Sequence, residues 1–372
     1  MKTLLQIFGF LTALFPGLNT YAAPAKPRPD SVDVFMRRTM AAQHIPGAAV
    51  AVIKNGKVLK LGTYGLASLT WKQPVTPQTP FQMASATKPL TGTLLAVLVQ
   101  EGKLKLDERI GTYLDSIPAA WQSITVRELA AHQSGIKLVP LATTRNNGHA
   151  LRTAAALPMA YEPGTKDFYV STDYAVLQAI ISRVTGLSFE KALRQKVLLP
   201  LKMRNTAFNH SQDNDVMRSA SILPGAAEVY SWSKPDQRYL ISDMRFPDWY
   251  YAAGGLYSSI EDLANWTIAL DKNTLLKPEN TSLLWTANRL RNQTPTHFGL
   301  GWITEEYQGH HLVGHSGGPA LADVVRFMDK DKEPLTIIVL TNTRGGFPPF
   351  LAKAVAHYFV PGLPQDRAEN YK

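Results

Sequence analysis

What most constrains this chain is the placement of its strand-forming segments, one group near each end with helix-forming sequence between them. Near the start, residues 48–54 (AlaAlaValAlaValIleLys) and residues 57–61 flank Asn55-Gly56. That dipeptide suits the primed turns that match strand twist, so the stretch reads as a β-hairpin. Near the end, Val324–Met328 and Leu335–Leu340 are apolar runs bridged by AspLysAspLysGluPro, a second hairpin. Between about 84 and 270 the signals are mostly helical. Thr125-Val126-Arg127-Glu128 is a capping box opening a helix that stops before Gly135. Ser171 or Thr172 caps a helix that turns Tyr174, Leu177, Ile181 and Val184 inward and ends at Gly186. Ser259 opens another. Residues 31–43 read as a surface helix, and about 350–359 as a last helix able to cover the sheet. Such an order implies an α/β (α+β) fold: one antiparallel sheet built from both termini, flanked by helices, with a mostly helical region inserted. The sheet part takes about 30–75 and 297–372, the helical part about 80–270. With no internal repeat and no flexible linker, residues 23–372 read as a single unit.

The first residues point to export. Lys2 supplies a short basic region, Leu4–Phe15 an apolar run, and Thr20-Tyr21-Ala22 small residues suited to a signal peptidase, which places cleavage after Ala22. An apolar run of this length is too short for a finished membrane-spanning helix; an uncleaved anchor is the alternative. Residues 23–30 are Pro-rich and read as an extended leader. No later stretch is long and apolar enough to span, so the expected location is periplasmic or secreted.

Composition then removes several function classes. The chain lacks cysteine, which excludes disulfides, thiolate metal sites and cysteine nucleophiles. Its formal charge is +10, yet Lys and Arg are scattered and form no basic run, which argues against nucleic acid as a partner. His310-His311 are neighbours that point apart on a strand, with no carboxylate spacing to support a metal. No metal and no cofactor is expected.

Ser-x-x-Lys places a hydroxyl and an amine on one helix face, where the amine can take the hydroxyl proton. The pattern occurs at Ser85/Lys88, Ser134/Lys137, Ser188/Lys191 and Ser231/Lys234. Context separates them. Ser85 precedes the apolar helical run Leu90, Leu94, Leu95, Leu98, so it stands at a helix N-terminus, where backbone N–H groups favour developing negative charge; a plain N-cap is the competing reading. Ser188 follows Gly186 and looks like an N-cap, Ser134 falls in a helix stop, and Ser231 in a polar loop. A second feature, Pro163-Gly164 followed by Tyr169-Val170-Ser171, can present a phenol to Ser85 as a proton relay, although Tyr257-Ser258-Ser259 repeats the triplet. The third is Gly314-His315-Ser316-Gly317-Gly318. As Gly-x-Ser-x-Gly, with Asp323 and His357 following, it has the form of a nucleophile elbow, but an elbow needs a strand before and a helix after. As His-x-Gly on an edge strand it lines a cleft, its small residues admitting a substrate backbone. Trp249, Tyr250 and Tyr251 either wall the pocket or fill the core.

In this order the three features resemble the serine β-lactamase and penicillin-binding-protein superfamily, in the branch holding class C β-lactamases, DD-peptidases and related esterases. Residues 81–92 (PheGlnMetAlaSerAlaThrLysProLeuThrGly) look like its nucleophile motif, 125–136 like its His-x-Ser-Gly segment, and 163–171 like its Tyr-x-Asn motif. AlaAlaGlyGlyLeuTyrSer (252–258) and PheGlyLeuGlyTrp (298–302) match two more family segments. The resemblance implies Ser85 as nucleophile, Lys88 and Tyr169 sharing general base and acid work, and an oxyanion hole from the N–H groups of Ser85 and Gly318. Which of Lys88 and Tyr169 is the base stays open.

Two positions depart from the pattern. Ser171 stands where the family has Asn, removing an amide that grips a substrate amide, and His315-Ser316-Gly317 stands where class C β-lactamases have Lys-Thr-Gly. A histidine titrating near pH 6.5 offers a substrate carboxylate its charge only on the acid side, unless it serves as a neutral hydrogen-bonding residue. The expected function is an exported serine hydrolase acting on a small-molecule or peptide substrate. A D-residue peptide, peptidoglycan-derived peptides included, or a small ester comes first, then a β-lactam. A catalytically quiet wall-binding or sensor protein is the reading from a different class.

Overall fold

The computed structural model describes residues 30–141, 146–213, 218–242, 245–318, 321–344 and 351–364. The signal expected over residues 1–22 and the leader through residue 29 lie outside them. Seven antiparallel strands form the main sheet: β1 (Gly47–Lys54), β2 (Lys57–Ser68), β3 (Gln73–Pro74), β7 (Ile303–Tyr307), β8 (His310–Gly317), β9 (Ala322–Phe327) and β10 (Leu335–Thr341). Their order is β7-β8-β9-β10-β1-β2-β3. The two terminal hairpins join where β1 pairs with β10, Val50 opposite Val339. β1 is buried except at Lys54, and its side chains alternate between two cores. Ala49, Ala51 and Ile53 face the helical region; Ala48, Val50 and Val52 pack with α1 (Ser31–Ala42) and α6 (Leu351–Ala356). A strand covered on both faces has no polar side, which is why residues 48–53 read as one apolar run.

The inserted region is organised around α2 (Lys88–Gln100), buried from Lys88 through Leu98. A Cβ on Gly92 would lie 1.8 Å from the Leu300 carbonyl oxygen, and one on Gly301 would lie 2.2 Å from that of Lys88. PheGlyLeuGlyTrp therefore lets a turn press against the start of α2. The capping box at Thr125 opens α3 (Val126–Ala130). α4 (Thr172–Thr185) ends at Gly186 in the left-handed region, and Ser259 caps α5 (Ile260–Asp271). The region is less helical than the sequence suggests. A small sheet joins β4 (Phe81–Gln82), β5 (Ala207–Phe208) and β6 (Leu256–Ser258) in the order β4-β6-β5, and two ribbons pair Ser211–Asp213 with Arg218–Ala220 and Tyr230–Ser233 with Arg238–Ile241. Strands of two to four residues carry no readable alternation. Ser231 thus stands on a ribbon, not in a polar loop, and a helix over Pro278–Trp285 extends the helical region past residue 270.

Candidate active site

After β4, a single 3₁₀ turn over Ala84–Thr87 carries Ser85 and runs directly into α2. Ala84 has φ 45°, a left-handed backbone that costs roughly 1–2 kcal/mol for a residue with a Cβ. Neighbours hold it there. The Thr87 hydroxyl donates to the Ala84 carbonyl at 2.7 Å, and the Leu256 N–H donates back to that hydroxyl at 3.3 Å. The Met83 N–H donates to the Leu256 carbonyl at 2.8 Å. From the sheet side, β8 comes so close that a Cβ on Gly317 would lie 1.9 Å from the Met83 carbonyl oxygen. Ser85 is not an N-cap.

Lys88 is fully buried and donates from Nζ to the Ala253 carbonyl at 2.8 Å. AlaAlaGlyGlyLeuTyrSer thus contributes backbone: the Ala252 carbonyl accepts from Thr91 at 2.8 Å, and β6 pairs with β4. The Lys88 ammonium lies 4.8 Å from the centre of the Tyr169 ring and 5.2 Å from that of Tyr174. Burial holds its pKa down to about 8. Tyr169 leaves 37% of its surface exposed while its hydroxyl end is packed. That desolvation pushes the phenol up to about 12, against hydrogen bonds with the Ser85 and Ser171 side chains.

Ser171 occupies the N-cap position of α4 but does not cap it, because its own backbone is helical. Its hydroxyl accepts instead from Tyr250 Oη at 2.7 Å. Four hydroxyls therefore lie in a row, Ser85, Tyr169, Ser171 and Tyr250. Of the aromatic triplet, Trp249 and Tyr251 are core, whereas Tyr250 stacks on Phe246 at 5.4 Å and reaches the site. The one sequence signal for it was its place in that triplet.

The segment Gly314–Gly317 lies on β8, between β7 and β9, so it is not on an edge strand. His315 is 6% exposed, its ring centre 5.9 Å from that of Tyr169. Its Nδ1 donates to the Ser316 carbonyl at 2.8 Å, which leaves Nε2 as a bare, buried acceptor. Burial pushes its pKa down to about 3, with Lys88 adding to the effect and the Ser316 carbonyl opposing it. The charge expected to titrate near pH 6.5 is therefore absent at neutral pH, and His315 is a neutral hydrogen-bonding residue. Nor is Ser316 on an elbow: an antiparallel strand carries it, and its hydroxyl donates to Asp323 Oδ1 at 2.9 Å. His357 bonds the Leu363 carbonyl at 2.7 Å. Gly318 lies exposed in the turn after β8.

The remaining candidates are structural. The Ser134 hydroxyl donates to Asp173, and Ser188 caps the helix over Phe189–Leu193. Ser258 pairs with Thr206, and Ser259 is a cap. His310 and His311 each meet a different carboxylate, Asp329 at 2.6 Å and Glu306 at 2.9 Å. No cluster able to hold a metal occurs among the described residues. Beside Tyr169 lie buried His132, of the His-x-Ser-Gly segment that the resemblance implies is structural, and buried Asp173, which was not singled out from sequence.

Known proteins resemble this chain. The Beta-lactamase family profile matches residues 32–358. A protein of Escherichia coli strain K12 named beta-lactamase is 29% identical over 303 residues, 79% of this chain and 76% of the relative. Protein Flp of Staphylococcus aureus strain MRSA252 is 28% identical over 342 residues, 87% of this chain, which spans 64% of Flp. Among solved structures, the octameric penicillin-binding protein homologue from Pyrococcus abyssi is 25% identical with a TM-score of 0.73, covering 91% of this chain and 78% of that one. A penicillin-binding protein from Bacillus halodurans, at 19% identity and TM-score 0.71, covers 89% of this chain and all of its own, and shows the same fold. With its profile matched from α1 to beyond α6 and its architecture found in penicillin-binding proteins, the chain belongs to the Beta-lactamase family.

Proposed function

We propose that the protein is an exported serine hydrolase that cleaves a small ester, or an amide beside a D-residue, through an acyl-enzyme on Ser85. The observation that carries this reading is the hydrogen bond between Tyr169 and Ser85 with a buried Lys88 over the same ring. A lysine held near pH 8 is partly neutral at physiological pH, which matches a general base, while the phenol stays protonated and can pass a proton. The Ser85 proton leaves through Tyr169 to Lys88 as Oγ attacks the substrate carbonyl. The N–H groups of Ser85 and Gly318 receive the oxyanion. Collapse expels the alcohol or amine, which takes the proton back, and water then repeats the sequence on the ester.

His315 favours the uncharged substrates. A neutral imidazole with its donor engaged by the Ser316 carbonyl has no cation to offer a carboxylate. Phe168 and Leu138, 67% and 59% exposed, flank Tyr169 and the start of α4 and suit an apolar arm. β-Lactam hydrolysis is the second reading, favoured by the Escherichia coli relative. Labelling with a fluorophosphonate, followed by p-nitrophenyl esters of increasing chain length, D-Ala-D-Ala peptides, D-amino-acid anilides and nitrocefin, tests both. Ester turnover is expected to exceed nitrocefin turnover. Nitrocefin hydrolysis near 10⁸ M⁻¹s⁻¹ in kcat/KM would establish a β-lactamase, and a wild type that takes no label would leave a quiet binding protein.

A further inference from the structure

Beside Tyr169 lies a polar cluster that the acyl-transfer steps do not call on. His132, Ser134 and Asp173 are 1%, 0% and 0% exposed. The loop that carries the first two leaves α3 with His132 at φ 56° and Gly135 at φ 75°, and this turning aims successive carbonyls at residues 160–168. The His132 carbonyl accepts the Phe168 N–H at 2.8 Å and the Tyr161 hydroxyl at 3.2 Å. The Gln133 carbonyl takes the Gly164 N–H, and the Gly135 carbonyl the Ala160 N–H, both at 2.8 Å. The imidazole continues the pattern on the far side of Tyr169. Its Nδ1 accepts the Val170 N–H at 3.3 Å, and its ring packs against the Tyr169 ring at 4.6 Å between centres. One residue therefore holds the Phe168 N–H on one side of Tyr169, the peptide unit directly after it, and the ring itself.

We infer that His132 is the positioning residue of Tyr169, and that Asp173 and Ser134 hold His132 in turn. The inference rests on the proposed role of Tyr169. The tautomer follows from the contacts. A nitrogen that accepts from Val170 carries no proton, so the neutral ring is protonated on Nε2. Asp173 Oδ2 stands 3.3 Å from that same Nδ1, and a carboxylate facing a bare nitrogen would repel it. Asp173 is therefore neutral, its own proton aimed at Nδ1, while Oδ1 accepts the Ser134 hydroxyl. Ser134 in turn accepts the Ile136 N–H at 2.9 Å, fixing the loop. The surroundings agree. Burial drives His132 well below its usual pKa, with Lys88 and His315 adding to it, and burial drives Asp173 well above its own, with the Ser134 bond and Lys88 opposing. Tyr174, which also packs against His132, stays protonated for the same reason. The cluster is thus an uncharged scaffold, which keeps it from competing with Lys88 for the transferred proton.

Two variants suit the left-handed backbone at residue 132, so neither imposes strain there. His132→Gly keeps the carbonyl contacts and removes ring and acceptor together. His132→Asn restores an acceptor for the Val170 N–H. Because displacing a reacting group by about 1 Å can lower a rate on the order of 100-fold, kcat of His132→Gly is expected to fall by about that factor with KM little changed, and His132→Asn to recover at least about tenfold of it. A second readout is ¹⁹F NMR of enzyme carrying 3-fluorotyrosine, the Tyr169 resonance identified by its loss in Tyr169→Phe. It should shift and broaden in His132→Gly and return toward its wild-type position in His132→Asn. A Gly variant with kcat within threefold of wild type and an unmoved resonance overturns the inference, as does an Asn variant no better than Gly. If the wild type takes no fluorophosphonate label, the reading of Ser85 fails instead, and the ¹⁹F comparison still decides whether His132 sets Tyr169.

Discussion

Two serines in this molecule sit in short motifs that can each be read as a nucleophile, and their surroundings part them. Ser85 lies on a turn at the start of a helix, its hydroxyl bonded to a desolvated phenol whose ring lies against a buried amine held near pH 8. Ser316 lies on an interior antiparallel strand, its hydroxyl given to Asp323, which also accepts the Ala352 N–H at 2.9 Å. One hydroxyl faces groups that can take a proton. The other donates into a network that ties β8 to β9 and to α6. Both sites bury polar atoms among small residues, so neither burial nor glycine content distinguishes them; the partner of the hydroxyl does.

The sharpest way to break this contrast is to remove each hydroxyl. Ser85→Ala is expected to abolish the covalent fluorophosphonate adduct seen by mass spectrometry, whereas Ser316→Ala should leave labelling within a few-fold of wild type. The reverse pattern would return the nucleophile to the sheet. Next in size is the amine. Lys88→Met fills the same buried volume without a titratable group, and loss of general base catalysis should lower kcat/KM by about 10²–10⁴-fold. In the wild type, kcat/KM for a neutral ester should rise with pH and level off above about 8, as Lys88 loses its proton. That limb should be missing in the variant.

Much of this was legible in the sequence where the signal is local and repeated. The Asn55-Gly56 hairpin, the Thr125 capping box and the Gly186 helix stop each stand where the residues put them. Joining β1 to β10 followed from two strand groups with helices between. Ser85, Lys88 and Tyr169 were found through motif context, and the structure brings them together. Tyr250 was legible only as one of three aromatics that either wall the pocket or fill the core, and the carbonyl of Ala253 not at all, because a carbonyl has no sequence signature and a tyrosine between two core aromatics looks like a third. His132 was legible only as part of a structural His-x-Ser-Gly segment, because its contacts run through backbone set by a φ of 56°. His315 was found but its charge was left open between a titrating and a neutral residue, because desolvation, which decides it, depends on neighbours far along the chain.

That desolvation gives the next prediction. With His315 held near pH 3 by burial, it stays neutral from pH 6 to 8. The KM for a carboxylate substrate, divided by that for a neutral ester of equal size, should therefore be flat across this range in the wild type. His315→Lys is expected to lower that ratio several-fold, since a fixed cation then faces the carboxylate. A wild-type ratio that climbs between pH 6 and 8 would restore a titrating histidine.

The smallest effect expected is one of stability, and it belongs to the Ser316 side. Burial raises the Asp323 carboxyl from 3.8 to about 6, against hydrogen bonds from the Ala352 N–H and the Ser316 hydroxyl. The folded state therefore holds a proton that the unfolded chain has released between about pH 4 and 6. The stabilisation is complete below pH 4 and is lost as pH rises through 6, by about 3 kcal/mol for a shift of this size. Asp323→Asn cannot ionise, so it escapes this loss. It does leave one of the two donors unpaired, a penalty of roughly 1–3 kcal/mol that does not vary with pH. Urea unfolding of the variant and the wild type at pH 4 and pH 7 isolates the titration, because every other ionising group, His315 included, is common to both chains. The difference in stability should move toward the variant by about 3 kcal/mol across that interval, while Ser85→Ala, compared with the wild type in the same way, should show no movement. A constant difference for Asp323→Asn would mean that the carboxylate is already ionised at pH 4, and that Ser316 donates to a charged network.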